Sequence, residues 1–104
     1  MKNDLLKIIE HYGIGNQLRK LNEESYEFIE AVRDYEEQKR VCEEFCSKLH
    51  CDKQLEHIEE EFADICVVLE QFKAYYDLDN EKIIETMKYK IERQIKRMEN
   101  ENIK

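Results

Sequence analysis

The chain carries no proline, and its two glycines, Gly13 and Gly15, fall almost side by side. Proline and glycine are the strongest interrupters of helical backbone, so beyond position 15 neither is present to force the chain out of a helix. Charged residues make up 40% of the sequence, and much of the remainder is Leu and Ile set among Glu and Lys. That is a helical composition. No apolar-polar alternation of period two and no hairpin dipeptide argues for a strand. The 104 residues are read as one all-α domain, spanning residues 1–104.

Apolar spacing predicts four helices. The first runs from about Asn3 to His11, with Leu5, Ile8 and Ile9 on its apolar face. The two glycines break it, and Asn16 is expected to cap a second helix from Gln17 to about Arg40, with Leu18, Leu21, Ser25, Phe28, Val32 and Tyr35 as its stripe. The stretch from Val41 to Lys53 is ambiguous. Asp52 is a candidate cap for a third helix ending near Tyr75, with Leu55, Ile58, Phe62, Ile65, Leu69 and Phe72 spaced three and four apart. Residues 77–80 form a turn in which Asp79 caps a fourth helix and Leu78 staples onto Ile83. That helix is expected to turn Ile84, Met87, Ile91, Ile95 and Met98 inward. A four-helix bundle this small is expected to complete its core by self-association.

A net charge of −8 argues against general binding to nucleic acid or to a membrane surface. No apolar run reaches the ~20 residues that span a bilayer, and the N-terminus lacks a signal-peptide core, so a cytoplasmic location is expected. The four cysteines then read as reduced thiols. Cys42, Cys46, His50 and Cys51 suggest a zinc site, but their spacing matches no common zinc ribbon or finger, and ordinary packing thiols are the simpler reading.

Two acidic pairs carry the chemistry. Glu24 and Glu27 lie three apart on the second helix, and Glu61 and Asp64 lie three apart on the third. Residues at that spacing share a helix face, and both pairs abut apolar stripes, which puts them at the edge of a core. Four carboxylates gathered there repel unless a cation lies between them, and oxygen ligands suit Mg²⁺ or Mn²⁺. Helical projection places Gln17, Lys20, Glu24, Glu27 and Ala31 on one strip. His57, Glu61, Asp64 and Val68 share a second, and Lys90, Gln94 and Arg97 a third. Two acidic strips and a basic one around a common core would suit a metal and a polyphosphate. The bland alternative is a solvated surface, since the chain has 25 acidic residues and isolated pairs of this kind are common. A di-iron centre needs a Glu three residues before a His, and the residues in those places are Ile8, Ser47 and Gln54.

The run from Gly13 through Gln17, Leu21, Glu23, Glu24 and Glu27 to Ala31, followed by Glu60 to Ile65, resembles the MazG-like all-α nucleoside triphosphate pyrophosphohydrolases. That family pairs an EExxE helix with an ExxD helix, and the resemblance extends from about Gly13 to Met98. It implies a MazG-like bundle, assembled as a homodimer or homotetramer. It also implies Mg²⁺-dependent cleavage between the α- and β-phosphates to give a monophosphate and pyrophosphate, a housekeeping activity on the nucleotide pool. By carry-over, Glu24, Glu27, Glu61 and Asp64 would be metal ligands, and Gln17 and Lys20 would face the nucleotide. Lys90, Gln94 and Arg97 would meet the phosphates, with Gln94 standing where the family usually has Asn. Glu23 or Glu27 would orient or deprotonate the attacking water. Two other readings stand beside this one: a non-catalytic helical interaction module, and a degenerate member that binds nucleotides without cleaving them.

Overall fold

The computed structural model describes residues 1–45 and 48–103, with side chains described for 1–41 and 52–102. The proposed zinc constellation of Cys42, Cys46, His50 and Cys51 lies outside the described side chains. The described residues form helices α1 (Lys2–Tyr12), α2 (Ile14–Phe45), α3 (Lys48–Tyr75) and α4 (Asn80–Ile103), and no strand.

One residue separates α1 from α2. Gly13 has φ 87° and ψ 155°, a region that is essentially reserved for glycine. Its N–H closes α1 on the carbonyl of Ile9 at 2.8 Å, and its own carbonyl accepts from the N–H of Gln17 at 3.1 Å to open α2. The break is therefore tighter than the sequence suggested. Gly15 and Asn16 are already helical, and Asn16 does not cap α2. Its Nδ2 instead donates to the carbonyl of Tyr12 at 2.7 Å, capping the end of α1, while its Oδ1 accepts from Arg19. A single positive-φ residue redirects the chain, so no second one is needed.

The turn after α3 behaves as expected at one end and adds a feature at the other. Asp77 has φ 51°. The N–H of Leu78 reaches back to the carbonyl of Lys73 and that of Asp77 to Ala74, the paired bonds of a Schellman ending. Asp79 Oδ1 accepts from the N–H groups of Glu81 and Lys82 at 3.0 and 3.3 Å, so Asp79 caps α4.

Helices α2 and α3 form an antiparallel pair, and α1 packs on both. The less exposed residues of α2 include a row at Gln17, Leu21, Glu24, Phe28, Ala31, Tyr35 and Gln38, with Ile14, Ser25 and Val32 beside it. Those of α3 include a row at Gln54, Ile58, Glu61, Ile65, Val68 and Phe72, with Cys66, Glu70, Gln71, Lys73 and Ala74 beside it. Alternating steps of three and four are the pattern of a helix seam. Phe28 and Phe62 meet across it edge to face, with ring centroids 6.0 Å apart. Leu18, Leu55, Phe62 and Leu69, expected in the core stripes, are instead largely exposed. The inward meridian is rotated toward the acidic positions.

Helix α4 packs on none of the other three among the described residues. Lys73 ties its start back through a 2.7 Å bond to Asn80 Oδ1, and beyond that α4 projects alone. The bundle expected within one chain is therefore a three-helix bundle with a fourth helix outside it. Ile84, Met87, Ile91, Ile95 and Met98 lie exposed, contrary to their expected inward orientation.

Candidate metal centre

The seam between α2 and α3 brings together residues that lie far apart in the sequence. Carboxylate oxygens of Glu24, Glu61 and Asp64 all lie within 4.8 Å of one another. Glu24 is 5% exposed, Glu61 is half-buried and Asp64 is exposed, so the cluster opens from the seam toward solvent. Glu24 and Glu61 belong to the core meridians themselves and not to strips beside them. A helix position in a seam ordinarily holds an apolar residue, and a carboxylate there must find partners or pay for desolvation.

These carboxylates are under-partnered. Lys20 Nζ meets Glu24 Oε1 at 3.0 Å from the exposed side. His57 Nε2 stands 3.8 Å from Glu61 Oε1. The second oxygens, Glu24 Oε2 and Glu61 Oε2, are buried without any hydrogen-bond partner. Buried polar atoms are rarely left in that state unless a water or ion serves them.

The electrostatics agree. The proton affinity of Glu27 is raised above the usual carboxylate value, first by the charge of Glu24, then by desolvation, then by the charge of Glu61, to which Glu27 can donate only once it is protonated. Lys20 is held protonated more firmly than usual by its hydrogen bond to Glu24 and by that residue's charge. Four carboxylates with one lysine at the rim thus form a strongly negative site. A divalent ion with oxygen preference fits its donor set: Glu24, Glu61 and Asp64 would hold it, with Glu27 alongside.

A groove of about 540 Å³ runs from this cluster between α1, α2 and α3. Gln17, Lys20, Glu23, Glu24 and Asp64 line it, as do Arg19 and Gln71. Gln71 escaped the sequence reading because a lone glutamine near the end of a helix carries no signal. Its position seven residues beyond Asp64, two turns along the same face, becomes meaningful only once the seam is known.

Within one chain, Lys90, Gln94 and Arg97 do not flank the core that holds the acidic pairs. They were expected to flank the same core as the acidic pairs, but all three are exposed on α4, which does not pack against α2 or α3. Within one chain the basic strip and the acidic cluster do not share a core, because helical periodicity specifies a face but not its neighbour.

No family model matches the chain, and no curated protein or solved structure matches it either.

Proposed function

We propose that the protein is a Mg²⁺-dependent nucleoside triphosphate pyrophosphohydrolase, cleaving between the α- and β-phosphates to release a nucleoside monophosphate and pyrophosphate. The observation that carries this reading is the pair of buried, partnerless oxygens of Glu24 and Glu61, within a three-carboxylate cluster at the mouth of a ligand-sized groove. Likeness of the Glu23–Glu27 and Glu61–Asp64 motifs to the MazG-like family gives the reaction type.

Glu24, Glu61 and Asp64 would hold the ion, which supplies charge neutralisation at the triphosphate oxygens and acidifies water for attack. The chain's own residues do the rest. Lys20 and Arg19 stand on the groove wall, where cationic donors can meet phosphate oxygens. Glu23, exposed on the same wall, or Glu27, beside the cluster, would orient the water or take its proton. A cytoplasmic location belongs to the same reading; among the described residues no helix is long and apolar enough to cross a membrane.

The same reading includes a homo-oligomer, with α4 covered by a second copy. The surface of one chain is 8731 Å², against about 6,200 Å² for a compact monomer of this mass. Its radius of gyration is 18.2 Å, against about 13 Å for a compact domain of this length. The excess area exceeds the roughly 800 Å² per partner that a specific interface buries.

The test is a panel of ordinary and modified nucleoside triphosphates with Mg²⁺, assayed for pyrophosphate against orthophosphate. Pyrophosphate release that disappears on chelation is expected. Tight binding without turnover identifies a nucleotide-binding protein that has lost cleavage, and neither binding nor turnover leaves a helical interaction module.

A further inference from the structure

At the far end of the groove from the acids, Gln17 Nε2 donates to Gln71 Oε1 at 2.7 Å across the seam. The two residues are 6% and 2% exposed, which places two carboxamides where apolar side chains would pack at lower cost. A single bond between two amides spends one N–H and one oxygen. Whichever way the amides are turned, the pair keeps one acceptor on the donating residue and one NH₂ donor on the accepting residue. Both residues line the groove, so this donor–acceptor couple faces the same space as Glu24 and Asp64.

The spacing gives the couple a use. Gln17 lies seven residues before Glu24, and Gln71 seven residues after Asp64. At 1.5 Å per residue each displacement is about 10.5 Å, and because the helices are antiparallel both run in the same direction. A molecule with phosphates at the carboxylates therefore extends its other end toward the amides, along a wall that includes Ile8, Val67 and Val68. A volume of about 540 Å³ lies within the range of small-molecule sites.

We propose that the Gln17–Gln71 pair reads the hydrogen-bonding edge of a nucleobase, making the substrate a nucleotide recognised through its base and not through its polyphosphate alone. This rests on the pyrophosphohydrolase reading for where the phosphates sit. A base edge offers a donor and an acceptor side by side, the complement of what the pair leaves open.

Binding is measured with Mg²⁺ and triphosphates whose α- and β-phosphorus atoms are bridged by methylene. The ligands are the common bases, the tightest binder methylated on the ring nitrogen of its pairing edge, and inorganic tripolyphosphate. The wild-type protein is expected to hold its preferred base about tenfold or more tighter than either the methylated nucleotide or tripolyphosphate. Gln17→Leu and Gln71→Leu should bring that ratio close to one. Equal affinity for the methylated and unmethylated nucleotides would overturn base reading while leaving the cleavage proposal standing. A ratio unchanged in folded leucine variants would reduce the pair to a clasp between helices. If tripolyphosphate and nucleotides all fail to bind, the pyrophosphohydrolase reading itself falls. Should the leucine variants lose their helical circular-dichroism signal, the methylated ligand on wild-type protein decides the matter alone.

Discussion

The inward meridians of α2 and α3 interrupt apolar residues with Gln17, Glu24 and Glu61, and Gln71 is buried beside them. The face of α4 through Ile84, Met87, Ile91, Ile95 and Met98 is nearly all apolar, and it is exposed. Polarity and burial are thus inverted between the two regions. In the α2–α3 seam, polar groups occupy places that would stabilise the fold more if they were leucine. On α4, apolar groups occupy places that water disfavours. The two departures have different physical readings. A buried carboxylate with one oxygen left unpartnered calls for a small charged ligand, whereas an exposed apolar stripe calls for a large surface.

Breaking the seam should produce the largest effect. Glu24→Gln removes one proposed ligand and one repelling charge together. Mg²⁺-dependent pyrophosphate release should fall by about 10²–10³-fold, the scale of losing one main electrostatic contact at a reacting phosphate. In the same variant the metal-free protein should unfold at a higher temperature than wild type, because a buried charge has gone. Lost activity with a lowered midpoint would instead make Glu24 a structural residue.

On the α4 side, Ile91→Lys places a charge in the middle of the stripe. If a second copy covers that face, sedimentation equilibrium should show self-association weakened about tenfold or more, since one buried Ile contributes roughly 1.5–3 kcal/mol. The helical signal of the remaining chain should persist. A wild-type protein that sediments as a monomer would remove the reason for the stripe.

The two glycines offer a smaller test of opposite signs. Gly13→Ala should cost about 1–3 kcal/mol, because its backbone lies in a region that side chains avoid. Nothing lies within 4 Å of the added Cβ, so the cost is conformational and not a clash. Gly15, two residues later and inside α2, should respond to alanine with a gain of roughly 0.5–1 kcal/mol. Urea titrations of the two variants measure both.

The finest effect is the pH dependence. Glu27 titrates above its ordinary 4.5 in the folded chain, so the native state holds that proton more tightly than the unfolded state does. Its contribution to metal-free stability should rise as pH falls from neutral through the raised value and level off below 4.5. Saturating Mg²⁺ should flatten that slope, and Glu27→Gln should remove it. Thermal midpoints across roughly pH 7 to pH 5, with and without Mg²⁺, measure the difference.

Much of the local structure was legible in the residues. Four helices, the break at Gly13 and the cap at Asp79 follow from spacing and turn chemistry. Asn16 misled because a polar residue next to a helix start serves equally well as a cap for the helix before it. The acidic doublets were legible as pairs on one face, and a common site for Glu24, Glu61 and Asp64 was an expectation that the geometry brings within 4.8 Å. Their depth was not legible. An amphipathic stripe spans 100° or more of a helix, so periodicity does not distinguish a residue at its edge from one a single step inside.

By itself, the sequence determined that the chain is helical, that it breaks at Gly13 and turns at residues 77–80, and which side chains share a face, because these are set by neighbours within about a turn. It left residues 41–53 open, where α2 runs on to Phe45 and α3 starts at Lys48, so that Asp52 lies inside α3 and does not cap it. Tertiary structure alone decided that Glu24 and Glu61 lie inside the α2–α3 seam, that Gln17 finds Gln71, and that α4 stands apart with its basic residues. Such pairings depend on how one helix is rotated against another. That rotation is settled by packing over the whole interface, and no local pattern encodes it.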